Sequence, residues 1–130
     1  MILVDTSVWI DFFNGYSSRE EQTLKQLIQD EEDICLSAIH IMEILQGIKQ
    51  KKDFIRTERH LKNFPILVPE LDDYVLSTLI FNICQRKGLT VKLADCLIAA
   101  IAIENNLILL HKDKDFEQIS ASTELQIFPL

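Results

Sequence analysis

The sequence predicts an α/β fold, a mostly parallel sheet of four to five strands with helices on both faces. Three observations carry this. Short all-apolar runs, Met1-Ile2-Leu3-Val4 and Leu107-Ile108-Leu109-Leu110 among them, read as strands buried on both sides. Longer segments with helical periodicity separate such runs, and repeated strand–helix alternation builds a parallel sheet. Two of the runs empty into acid, at Asp5 and, through His111-Lys112, at Asp113. In such sheets ligands bind beyond the carboxyl ends of the strands.

The first strand spans residues 1–5. A short helix follows through Val8, Trp9, Ile10, Asp11, Phe12 and Phe13 and breaks at Asn14-Gly15. Ser18, with Glu21 three places on, forms a capping box for a helix carrying Leu24, Leu27 and Ile28 on one face. Ile34-Cys35-Leu36 is a short strand; Ser37 caps the next helix, which bears Glu43, and Gly47 ends it. A helix over residues 51–64 presents Phe54, Leu61 and Phe64 and stops at Pro65. Ile66-Leu67-Val68 is a third strand, ending at Pro69. Leu71 to Lys87 is a helix closed by Gly88, with Arg86 and Lys87 suiting its negative end. Residues 92–104 form a helix with Asp95 near its start, residues 107–110 a fourth strand, and residues 125–128 a fifth at the edge. Between Asp113 and that last strand no element is predicted, and Asp113 with Lys114 reads as a turn.

A chain of 130 residues makes one domain, residues 1–130, able to bury roughly two-thirds of its unfolded surface. The apolar start halts at Asp5 with no basic region before it, and no span of about 20 apolar residues exists. No leader and no membrane span are therefore expected, and the expected location is cytoplasmic. Cys35, Cys84 and Cys96 are odd in number and lie in apolar runs, as reduced core residues do.

A net charge of −7 argues at first sight against nucleic acid. Its distribution softens that. Acid concentrates at Glu20-Glu21 and Asp30-Glu31-Glu32-Asp33, read as a solvated helix face and loop. Lys49, Lys51, Lys52, Arg56, Arg59 and Lys62 meet only Asp53 and Glu58 in their own stretch. That segment is a candidate to contact RNA phosphates or an acidic partner; the alternative is a plain solvated helix.

Four acids stand in apolar surroundings: Asp5, Glu43, Asp95 and Asp113. Desolvating a carboxylate there costs on the order of several kcal/mol unless a cation meets it. No Lys or Arg adjoins Asp5, Glu43 or the body of the Asp95 helix, so a hard metal ion is the natural counter-charge. Singly, each acid has a structural explanation: Asp5 as a helix cap, Asp113 as a turn, Asp95 as a partner of its helix dipole. Together, converging carboxylates select Mg²⁺ or Mn²⁺ over zinc. His40, His60 and His111 lack HExxH spacing, and no CxxC pair exists. A carboxylate-held Mg²⁺ with open water positions works on phosphate esters. Without a Gly-rich phosphate loop, triphosphate chemistry is disfavoured.

VDTSVWIDFF at 4–13, the ILQG that follows Glu43, LADCLIAAIAI at 93–103 and LLHKDKDF at 109–116 resemble PIN-domain ribonucleases, especially the small VapC-type toxins of type II toxin–antitoxin pairs. The resemblance spans essentially the whole chain. It implies a PIN-like three-layer sandwich and a Mg²⁺-dependent endoribonuclease, with Mn²⁺ as the other candidate ion. It also implies neutralisation by a cognate antitoxin, and a homodimer or higher toxin–antitoxin assembly. On this resemblance Asp5, Glu43, Asp95 and Asp113 form the catalytic quartet. Asp5, Asp95 and Asp113 hold the metal, and Glu43 completes the shell or positions the water. Asp115 is a second candidate for the last position. Thr6 and Ser7 match the hydroxyl pair after the first acid, as outer ligands to the metal or its water, or simply as helix caps. Trp9, Phe12 and Phe13 read as core or dimer contacts.

Other readings are a PIN protein that processes RNA without a toxin role, or an RNA- or protein-binding module without activity. A haloacid-dehalogenase-like phosphatase needs a second Asp where Ser7 stands. A response-regulator receiver needs a phosphoacceptor Asp after the third strand, which ends here in Pro69-Glu70.

Overall fold

The computed structural model describes all 130 residues. In chain order it contains β1 (Ile2–Val4), α1 (Thr6–Asn14), α2 (Arg19–Gln29), β2 (Ile34–Ser37), α3 (Ala38–Leu45), α4 (Lys51–Leu61), β3 (Ile66–Leu67), α5 (Leu71–Arg86), α6 (Leu93–Glu104), β4 (Ile108–Leu110), α7 (Lys114–Ser122) and β5 (Gln126–Ile127). The strands form one sheet in the order β3-β2-β1-β4-β5, every neighbouring pair parallel. The chain builds outward from β1 through β2 to β3, then returns to place β4 on the other side of β1. That reversal puts the topological switch point, where such sheets open a crevice, between the carboxyl ends of β1 and β4.

Alternation along the strands sends side chains to two separate cores. Leu3, Cys35 and Leu109 enter one, packed with Ile80 and Cys84 of α5, Ile98 and Ile101 of α6, and Phe116 and Ile119 of α7. Val4, Ile34, Leu36 and Leu110 enter the other, with Trp9, Leu24, Ile44 and Leu61 from α1 to α4. The result is three layers, with α5 to α7 on one face and α1 to α4 on the other. Trp9 is fully buried, donates its indole N–H to the Val4 carbonyl at 3.1 Å and packs against Phe12, Phe13 and Phe64, which makes it core. All three cysteines are free and buried, and burial pushes the Cys35 thiol up to about 11 and Cys96 to about 12.

Local signals fared unevenly. Gly15 adopts φ 69° and closes α1, as the Asn14-Gly15 break predicts. The capping box expected at Ser18 forms only in half: Ser18 Oγ accepts from the Glu21 N–H at 3.0 Å, while its hydroxyl donates to Asp11 Oδ2 at 2.7 Å. Glu21, expected on a solvated face, is buried, with Lys25 Nζ 3.1 Å from its carboxylate. In α4 the inward residues are Thr57 and Leu61; Phe54 and Ile55 are exposed. Helix α7 fills the stretch where no element is predicted. Its signals are weak ones: Phe116 and Ile119 three apart, and Asp113 able to cap.

Candidate active site at the carboxyl end of the sheet

Asp5 follows β1 at the N-cap position of α1, yet its side chain makes no capping bond to that helix's later N–H groups. Two other donors hold it. Ser7 Oγ donates to Oδ2 at 3.2 Å, and His40 Nε2 lies 3.1 Å from Oδ1. Burial alone would raise the Asp5 carboxyl. His40, through both hydrogen bonding and electrostatics, and then the Thr6 N–H and Ser7 outweigh it and hold the group below the ordinary carboxylate value. Asp5 is therefore a fixed, ionised acid.

Asp95 has the opposite fate. It sits in the first turn of α6, a helix whose residues from Asp95 through Ala102 are all buried between the sheet, α5 and α7. Burial, then the charges of Asp113 and Asp5, push its carboxyl up to about 7. One of its oxygens, Oδ2, is buried with no hydrogen-bond partner. Carboxylate oxygens of Asp95, Asp113 and Asp115 lie within 4.8 Å of one another. Like charges packed this way are costly without a cation between them.

Asp113 caps α7, accepting from the Asp115 N–H at 2.9 Å, so its turn role and its place in the cluster coexist. Asp115 Oδ2 accepts from the Lys92 N–H at 3.4 Å. Glu43, half-buried on α3, accepts from Thr6 Oγ1 at 2.7 Å and is thereby tied to the residue after Asp5. Both hydroxyls of the Thr6-Ser7 pair thus brace an acid of the quartet.

No Lys or Arg is expected beside Asp5, Glu43 or the body of the Asp95 helix; Asp113 lies outside that expectation, and a Lys does approach it. Lys92, the N-cap of α6, places Nζ 3.7 Å from Asp113 Oδ2. It is largely exposed, and the charges of Asp113 and then Asp95 raise its ammonium. A solvated amine at that distance does not satisfy the buried Asp95 oxygen. Lys112, next to Asp113 in sequence, pairs instead with Asp11.

The basic segment lies on and before α4, and none of its side chains forms an ion pair with the cluster's acids. Arg56 pairs with Asp53 at 2.7 Å and Lys62 with Glu58 at 3.0 Å, both within α4 or at its end. Lys49 and Arg56 line a groove of about 680 Å³ with Phe12, Phe13, Gln50 and His60.

Sequence reasoning missed His40. It is fully buried and occupies the third position of α3, where it completes a capping box with Ser37. Its signal was the Ser37-x-x-His40 spacing, which carries His where Glu or Gln is usual.

The donor set is oxygen-only and includes a buried carboxylate oxygen without a partner, which fits a small hard divalent ion.

Residues 2–122 match the PIN domain. The chain is 34% identical over 129 residues to ribonuclease VapC11 of Mycobacterium tuberculosis, and equally to VapC ribonuclease Mb1587 of Mycobacterium bovis, covering 97% of this chain and 96% of each relative. Among solved structures, VapBC2 from Rickettsia felis, bound to a DNA fragment from its promoter, superposes with TM-score 0.79 at 20% identity over 98% of both chains. A toxin–antitoxin complex from Klebsiella pneumoniae superposes with TM-score 0.71 at 28% identity, over 98% of this chain and all of that one. The architecture, the acids at the switch point and full-length similarity converge, and the chain belongs to the PIN-domain family, among its VapC ribonuclease toxins.

Proposed function

We propose that this chain, acting as a single domain over residues 1–130, hydrolyses RNA phosphodiester bonds with Mg²⁺, or Mn²⁺, held by Asp5, Asp95 and Asp113, and serves as a cytoplasmic toxin silenced by a cognate antitoxin. The unpartnered, buried Oδ2 of Asp95 beside Asp113 and Asp115 is the observation that carries the metal reading. When bound, the ion supplies Lewis acidity at the phosphate oxygens and lowers the pKa of a water that serves as nucleophile. Asp5, ionised and braced by His40 and Ser7, is ready to bind without losing a proton. Asp95 must lose one, and positive charge at the site drives that loss. Glu43, held by Thr6, is placed to accept a proton from the attacking water or to complete the ligand set. Asp115 lies close enough to Asp95 to share or replace the role of Asp113. Hydrolysis by in-line attack leaves a 3′-hydroxyl and a 5′-phosphate.

Two surfaces support the partner readings. On α5, Leu71, Tyr74, Val75 and Leu79 form an exposed apolar stripe continued by Val68, which suits a homodimer or a larger assembly with antitoxin. The groove beside α4 combines Phe12 and Phe13 with Lys49 and Arg56, which suits an RNA strand or an acidic partner segment. Reversing charge at Lys51, Lys52 and Arg56 should weaken RNA binding and flatten its salt dependence, by about 0.7 in slope for each phosphate of a single strand that is no longer neutralised. An unchanged slope returns the segment, with Arg59 and Lys62, to a solvated helix face.

Expression of the chain alone should arrest growth of a bacterial host, and co-expression of the antitoxin encoded beside it should relieve the arrest. A protein that cleaves RNA in vitro yet leaves growth untouched would instead be a processing nuclease.

A further inference from the structure

We propose that His40 is a positioning residue for the metal site, orienting Asp5 through a proton that the α3 capping box fixes on Nε2; this rests on the metal reading above. Ser37 is the N-cap of α3, and His40 stands three residues on. The Ser37 backbone N–H donates to His40 Nδ1 at 3.1 Å, and the Ser37 hydroxyl lies 3.0 Å from the same nitrogen. Nδ1 must therefore accept, since a backbone N–H has nothing but a proton to offer. The ring proton then resides on Nε2, which is 3.1 Å from Asp5 Oδ1 and donates to it. His40 is fully buried and Ser37 equally so, which leaves water no access to compete for either nitrogen.

A Glu or Gln in this slot would cap the helix and end there. The imidazole has a second nitrogen on its far side, and the same ring carries the order of the α3 terminus across to the end of β1. Asp5 is thus gripped from two elements, at Oδ1 by α3 and at Oδ2 by Ser7 of α1. A side-chain donor on each oxygen sets the carboxylate plane. Histidines that touch a metal directly are oriented by carboxylates; here the roles are exchanged, with a histidine orienting the carboxylate.

Two substitutions separate the two halves of the ring. His40→Gln keeps the cap, its side-chain carbonyl accepting from the Ser37 N–H, but loses the donor to Asp5. His40→Ala loses both. Mn²⁺ affinity, read by electron paramagnetic resonance titration, should fall about 10- to 100-fold in both variants. The metal-free melting temperature should fall clearly in the Ala variant and much less in the Gln variant. Equal Mn²⁺ affinity in wild type and the Gln variant would sink this inference alone. So would losses of affinity in the two variants that track their melting temperatures. Absence of Mn²⁺ binding by wild type would sink the metal reading and this one with it. Long-range proton–nitrogen spectra of the wild type give a check independent of any variant: His40 should carry its proton on Nε2, and an Nδ1–H tautomer overturns the proposal.

Discussion

Asp95→Asn is expected to abolish RNA cleavage while leaving the metal-free protein at least as stable as wild type. Loss of an outer partner of a metal site already costs about 10- to 100-fold, so removing a carboxylate proposed as a direct ligand should cost at least about 100-fold. Stability moves the other way because this acid is unhappy in the fold. Its carboxyl, 3.8 ordinarily, is held near 7 by burial and by Asp113 and Asp5. The native state therefore binds more protons than the unfolded chain between about pH 4 and pH 7. Stability contributed by the protonated form is full below the unfolded value and is lost as pH rises through the folded one, a fall on the order of a few kcal/mol. Asn removes the charge at nearly constant volume and removes that fall with it. Urea melts of both proteins in chelator, at about pH 5 and about pH 8, read the difference directly. A variant that unfolds well below wild type at the higher pH would make Asp95 a scaffold residue and leave the site without its central acid.

Metal removal should have the second large effect. Cleavage of a structured RNA should require Mg²⁺ or Mn²⁺ and vanish in EDTA. The same ions should raise the melting temperature, because a ligand that binds only the native state stabilises it by mass action. At about a hundredfold excess over Kd the gain is about 2.7 kcal/mol. For a chain of this size each kcal/mol moves the midpoint by about 3–6 °C, so the expected rise is on the order of 10 °C. Asp95→Asn should show much less of it. Undiminished cleavage in EDTA would remove the proposed mechanism, whatever the melts show.

Much of this was legible in the chain itself. The apolar runs at residues 1–4, 34–36 and 107–110 became the buried central strands β1, β2 and β4, because strands buried on both faces need no alternation to be recognised, while residues 66–68 and 125–128 became the more exposed edge strands β3 and β5. Their ends pointed to Asp5 and Asp113. The anomaly of Asp95 in LADCLIAAIAI and of Glu43 on an apolar segment could be read because burying a charge is too costly to be incidental.

What sequence could not settle lies in relations between elements. Helix α7 has a polar face and a single buried pair, Phe116 and Ile119, and only packing against α5, α6 and the sheet makes that pair sufficient. Phe54 looks like core by type, but the orientation of α4 turns Thr57 and Leu61 inward instead. Glu21 looks solvated by charge, but the packing of α2 buries it, with Lys25 of the same helix beside its carboxylate. His40 had a local signal, and nothing local says that its far nitrogen meets a carboxylate 35 residues earlier. Periodicity and desolvation act within a segment, so the strands, most helices and the anomalous acids follow from residue order alone. That Asp95, Asp113 and Asp115 share one small volume, with Asp5 near enough for its charge to raise Asp95, came only with packing. Parallel strands bring their carboxyl ends together once the sheet order is chosen, and that order is a property of the whole chain.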